Sequence, residues 1–171
     1  MIGMRLKCMF WKKQETPIPT VKELDLTKYL GLWFEIGKLP QREQRQLTHV
    51  TARYHLDEKG ILRVHNTGYR NGKKVGIRGK AWIRDSKTPG ALYVQFFWPF
   101  KGEYNVIKVP EDYRYAVVVG KSKESLWILA RERTLPKEDL REILDFLKAH
   151  GIDTKRILKT NQKEERQHGA L

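Results

Sequence analysis

Few side chains in this chain are of the kind, and at the spacing, that chemistry requires. Glu35 is the first to weigh. It alternates with Trp33 along one run, so both point to the same interior. A buried carboxylate needs a partner, and the preferred reading pairs it with a lysine or arginine. The rival reading makes it a general base that moves a proton on a bound substrate. Histidines stand at 49, 55, 65, 150 and 168, with no His-x-x-x-His spacing that would place two on one metal. His55 and His65 fall on the polar face of their strands and read as exposed. Asp112 and Tyr113 read as turn residues, not as an acid–base pair. Cys8 is the only cysteine, which excludes an intramolecular disulfide and a Cys-rich zinc site. There is no Gly-rich loop followed by Lys and Ser or Thr, so no phosphate cradle of that type. No catalytic residue, cofactor or metal is assigned, and the chain is read as a non-enzyme.

The elements around these residues read as β-strands. Asp25 is placed to cap a short helical turn, and Gly31 to turn the chain into a first strand carrying Trp33. Residues 50–56 alternate, with Val50, Ala52, Tyr54 and Leu56 on one face. Gly60 ends a turn, and Leu62, Val64, Asn66 and Gly68 share one face of the next strand. Asn71-Gly72 is a hairpin signal, since both residues tolerate positive φ. Strands follow over 75–84 and 91–97. The run 98–102, Trp-Pro-Phe-Lys-Gly, reads as a break. Further strands follow over 104–109, 113–119 and 126–131. Short strands in close succession favour an all-β, eight-stranded antiparallel up-and-down barrel, which removes exposed edges by closing. One element departs from this. Pro136 opens a helix with Leu140, Ile143, Leu144 and Leu147 on one face, and Gly151 stops it. It is expected to pack outside the barrel, followed by a short strand at Ile157-Leu158.

The chain of 171 residues fits one domain, over residues 24–160. Residues 1–23 read as a flexible basic tail with a Pro linker, and 161–171 as a disordered polar tail. In Met1–Lys13 the apolar run is broken by Arg5, Lys7, Lys12 and Lys13, so it does not read as a secretory signal. Cys8 follows Arg5-Leu6-Lys7, where a lipidation site would place small residues. Met9, Phe10 and Trp11 form at most a surface-seeking patch. Localisation is left undecided. The net charge of +14 favours anionic partners, but lysines and arginines are scattered, as a solubilising surface would have them.

Gly31-x-Trp33, Glu111-Asp112-Tyr113 and the strand-ending Arg131 together resemble the three lipocalin motifs. The runs at Phe96-Phe97-x-Pro-Phe and Tyr104-Asn-Val-Ile resemble the branch of bacterial outer-membrane lipocalins and apolipoprotein D. The Thr that usually opens the second motif is absent. The resemblance implies a barrel floor closed by Trp33, with Arg131 packed over its indole and bonded to carbonyls of the N-terminal turn. It also implies an inner calyx that takes a long-chain fatty acid or lysophospholipid, for transport, storage or membrane lipid maintenance. The inward set expected to line it is Ala52, Tyr54, Val64, Asn66, Ala81, Val94, Phe96, Tyr104, Trp127 and Leu129, with Asn66 or Tyr104 fixing a polar head. Arg42, Arg45 and Lys73 would form a basic rim. Peripheral contact with an anionic membrane and a homodimer are further expectations. The alternatives are a basic barrel that binds nucleic acid, which is disfavoured, and a lipid isomerase using Glu35.

Overall fold

A computed structural model describes residues 17–40 and 47–163. Asp25 starts the first element. Its carboxylate accepts from the amides of Thr27 and Lys28 at 2.9 and 3.4 Å, which caps the helical turn α1 (Leu26–Tyr29). Gly31, at φ +95°, then directs the chain into β1 (Gly31–Lys38). The strands β2 (Thr48–Leu56), β3 (Leu62–Arg70), β4 (Lys73–Ile83) and β5 (Ala91–Phe97) follow. After them come β6 (Phe100–Lys108), β7 (Tyr115–Val119) and β8 (Leu126–Ala130), then α2 (Lys137–Ala149) and β9 (Leu158–Lys159).

Each strand from β2 to β8 pairs antiparallel with the next. β8 pairs with β1, and β1 with β2, so the eight strands close into a barrel. Closure leaves no free edge among them. Because successive strands reverse direction, the β1–β2, β3–β4, β5–β6 and β7–β8 connections lie at one end. The other three connections and α1 lie at the opposite end, with Trp33.

Two apolar clusters follow from the alternation. The inner one fills the barrel and includes Trp33, Tyr54, Val64, Leu92, Val106 and Val118. The outer one lies between the wall and α2, where Ile143 and Leu147, one turn apart, are fully buried against residues such as Ile107, Tyr115 and Val117. Lys108 reaches Glu142 of α2 at 2.8 Å across the same contact.

The structure departs from the sequence reading in three places. First, pairing resumes at Phe100, directly after Pro99, with Phe97 and Phe100 opposite each other. The break expected over 98–102 is thus a two-residue turn, and Phe100, Lys101 and Gly102 belong to β6. Second, packing on the barrel starts before residue 24: Ile18 is buried in the outer cluster, and the Val21 amide donates to the Val106 carbonyl at 2.9 Å. Third, Gln162 is buried. Its side-chain amide donates to the carbonyls of Glu35 and Val50, at 2.9 and 2.7 Å. The cause is a seam. β1 and β2 are paired only as far as Phe34 and Thr51, so strand carbonyls beyond that point need other donors. Cys8, the patch at 9–11, Arg42, Arg45 and His168 lie outside the described residues.

Candidate functional site

The barrel floor is built from three chain segments. Trp33 is fully buried, and its indole Nε1 donates to the Tyr29 carbonyl at 2.8 Å. The Arg131 guanidinium lies 3.7 Å over the Trp33 ring. Its nitrogens donate to the carbonyls of Leu32, Lys28 and Tyr113, at 2.9, 2.6 and 3.3 Å. The Tyr113 hydroxyl accepts the Asp25 amide at 2.8 Å, which ties α1 down. The Trp33 and Arg131 donors all engage backbone carbonyls, so this end is built as a closure.

Asp112 acts through Arg114. It accepts from Arg114 Nη1 at 2.8 Å, while Arg114 Nε and Nη2 bind both oxygens of Asp139 on α2, at 2.9 and 2.7 Å. The hydrogen bonds from Arg114 hold the Asp139 carboxyl below its ordinary value of 3.8. A depressed carboxyl contributes stability at pH above its unfolded value and loses it as pH falls toward the folded one. Thermal melts taken from neutral pH into the acid range should therefore drop from about pH 4 downward. Arg114→Leu should lower the melting temperature at neutral pH and flatten that acid drop. Parallel pH profiles for the two proteins would rule the pairing out as a source of stability.

Above the floor, the inner wall holds the residues that alternation pointed inward. Ala52, Tyr54, Val64, Ala81, Val94 and Leu129 are buried in the inner cluster, and Phe96, Tyr104 and Trp127 pack against it. Gly79 makes room for Phe96, since a Cβ there would stand 2.9 Å from the Phe96 ring. Polar groups in this interior are few. The Tyr54 hydroxyl donates to the Tyr104 hydroxyl at 2.9 Å, and those of Tyr104 and Tyr29 lie 2.7 Å apart. Burial pushes Tyr54 up to about 12, and Tyr29 and Tyr104 well above their ordinary value. All three stay neutral and serve as a hydrogen-bonded plug over Trp33, whose ring lies 4.9 Å from that of Tyr29. Tyr104 is thus engaged with its neighbours. Asn66 is not: its Oδ1 is buried with no hydrogen-bond partner among the described residues.

Glu35 is buried and faces this interior opposite Leu129. Its Oε1 lies 3.2 Å from Lys38 Nζ and accepts the Thr160 hydroxyl at 2.6 Å. Lys38 escaped the sequence reading. The β1–β8 register shifts between Glu35 and Gly37, so Lys38 and not Gly37 comes to lie opposite the inward Trp127. Tyr29 was also missed, because it enters from α1 and no strand period points to it.

Lysines and arginines gather on the outer wall. His65 is lowered from its ordinary value first by burial, then by the charges of Arg78, Lys74 and Arg53 and by His55. Lys73 is exposed beside the β3–β4 turn.

This floor, barrel and external helix define a class of small-ligand-binding β-barrels, and the chain belongs to the lipocalin family: residues 24–162 match the model of the lipocalin-like domain. Among its relatives is the outer membrane lipoprotein Blc of Escherichia coli K12, 38% identical over 147 residues, spanning 85% of this chain and 83% of that protein. Apolipoprotein D of Cavia porcellus is 33% identical over 156 residues, spanning 85% and 82%. Insecticyanin of the tobacco hornworm shares the fold with a TM-score of 0.72 at 23% identity, over 87% of this chain and 86% of that one. Lipocalins are typically binding and transport proteins, and membership implies binding of a small hydrophobic ligand.

Proposed function

We propose that the protein carries a single-chain lipid, a long-chain fatty acid or a lysophospholipid, inside the barrel, and serves in the upkeep of membrane lipid. The observation that carries this is the makeup of the inner wall. It is apolar and aromatic, with small residues at Ala52 and Ala81 and one buried acceptor, Asn66 Oδ1, without a partner among the described residues. An unpaired acceptor calls for a ligand donor, such as the glycerol hydroxyl of a lysophospholipid or a protonated carboxyl. The inward residues named above form the proposed contact set, with the acyl chain running along Val64, Val94, Phe96 and Leu129. Binding is favoured over chemistry, because Lys38 and Thr160 already hold the Glu35 carboxylate.

Titration with oleate and with lysophosphatidylcholine tests the reading, using Trp127 emission as the readout. Saturable quenching that barely changes with salt is expected, whereas a nucleic-acid complex weakens steeply as salt rises. Ala81→Phe puts a ring into the interior and should weaken lipid binding by about tenfold or more, equivalent to about 1.4 kcal/mol. Solvent extraction of the purified protein should release the same lipid class. Undiminished binding by the Ala81→Phe protein would place the ligand elsewhere.

A further inference from the structure

We infer that the β5–β6 hairpin tip is a membrane-docking wedge: Phe97, Trp98 and Phe100 enter the interface of an anionic bilayer while the surrounding lysines and arginines hold its headgroups. This extends the membrane part of the reading above and does not depend on what the barrel interior binds. The three side chains are the most exposed large apolar groups among the described residues, at 68%, 86% and 77%. They are contiguous across a two-residue turn, and tight pairing of Phe97 with Phe100 presents them as one projecting tip. Burying them in the protein's own core would require unpairing the hairpin. Three adjacent large aromatics left in water mark an interaction surface and not chance exposure.

Charge selects the occupant. Residues 62–84 contain no Asp or Glu. The β3–β4 turn reaches the same end of the barrel and brings Arg70, Lys73 and Lys74, all exposed, with Tyr69 beside them at 39% exposure. Behind the tip, Lys101 Nζ lies 3.8 Å over the Tyr93 ring and Lys80 Nζ 5.8 Å over the Trp82 ring. Tyr93 lies four residues down β5 from Phe97, so these lysines lie along the wall below the apolar tip, the layered pattern of an interfacial anchor, apolar end in and cations behind it. An acidic protein would satisfy the cations but leave the aromatic tip without apolar cover. A lipid surface satisfies both. The tip also belongs to the end away from the Trp33 floor, so docking there would turn the far end of the barrel toward the membrane.

Flotation with phosphatidylcholine vesicles, with and without phosphatidylglycerol, tests this on the full chain. Binding should require the anionic lipid and weaken about fivefold for each lysine removed near the surface, as in Lys73→Gln or Lys101→Gln. The triple variant Phe97→Ser, Trp98→Ser, Phe100→Ser should bind roughly tenfold or more weakly, yet keep its melting temperature and its oleate titration, because these side chains are exposed. Bromolipid vesicles should quench Trp98 emission, and Trp98→Phe should remove that quenching while keeping vesicle binding. Unchanged flotation of the triple variant would overturn the inference and assign any membrane contact to another segment. So would a dimer in sedimentation that the triple variant abolishes, with no wild-type flotation. Loss of oleate binding with flotation intact would instead count against the interior reading alone.

Discussion

Replacing Trp33 with Ala is expected to cost about 3–5 kcal/mol, among the largest losses a single side chain here can cause. Trp33 is fully buried, and it packs against both Tyr29 of the N-terminal turn and Arg131 at the end of β8. Its removal opens a cavity beneath the tyrosine plug. It also strips the Tyr29 carbonyl of its indole donor and leaves the Arg131 guanidinium facing that cavity. For a domain of this size the loss corresponds to a drop of about 6–20 °C in melting temperature. Arg131→Met separates packing from polarity. It keeps much of the cover over the indole but loses three bonds to backbone carbonyls. Its cost should be smaller, about 1–3 kcal/mol. Urea denaturation of both variants gives the comparison. A Trp33→Ala protein no less stable than Arg131→Met would mean that the arginine, not the indole, closes the floor.

The barrel was legible because its strands obey a period of two and its turns carry their own chemistry. Ala52, Tyr54, Val64 and Ala81 could be placed on the inner wall from alternation alone, and the structure has each in the inner cluster. Asn71 and Gly72 both take positive φ, as their hairpin position demands. Alternation fails where a strand is irregular. Lys38 sits one residue past the position that the period assigns, because of the β1 bulge. The one local sign is Gly37, since a glycine inside a strand often marks a bulge; a Cβ there would stand 3.2 Å from the Leu158 carbonyl of β9. The start of β6 was hidden for the opposite reason. Trp98, Pro99 and Gly102 each signal a break, yet only the first two form the turn. Gln162 could not be read from composition either. Its burial answers an unpaired carbonyl on a strand 127 residues away in the chain, a demand that only the closed barrel creates.

Glu35 and Lys38 give the second large effect, and its sign depends on which partner is removed. The pair is buried, with side chains 7% and 9% exposed. Glu35→Ala leaves an ammonium group in an apolar barrel next to Trp127, and orphans the Thr160 hydroxyl. The expected cost is about 3–5 kcal/mol, the penalty of an unpaired buried charge and not the net contribution of the bond. Lys38→Met alone should be costly for the mirror reason, although the Thr160 bond still serves the carboxylate. Changing both, Glu35→Gln with Lys38→Met, removes the charges, while the carbonyl of the introduced amide can still accept from Thr160. That double variant should recover most of the loss, since replacing a buried pair by neutral groups of similar volume is often close to neutral. A double-mutant cycle on urea midpoints, with Glu35→Gln and Lys38→Met as its single variants, reads the coupling directly. Additive losses would mean that each group finds water once its partner is gone. Coupling would mean a dry inner wall at this level, and a dry wall is what an acyl chain needs in order to lie along it.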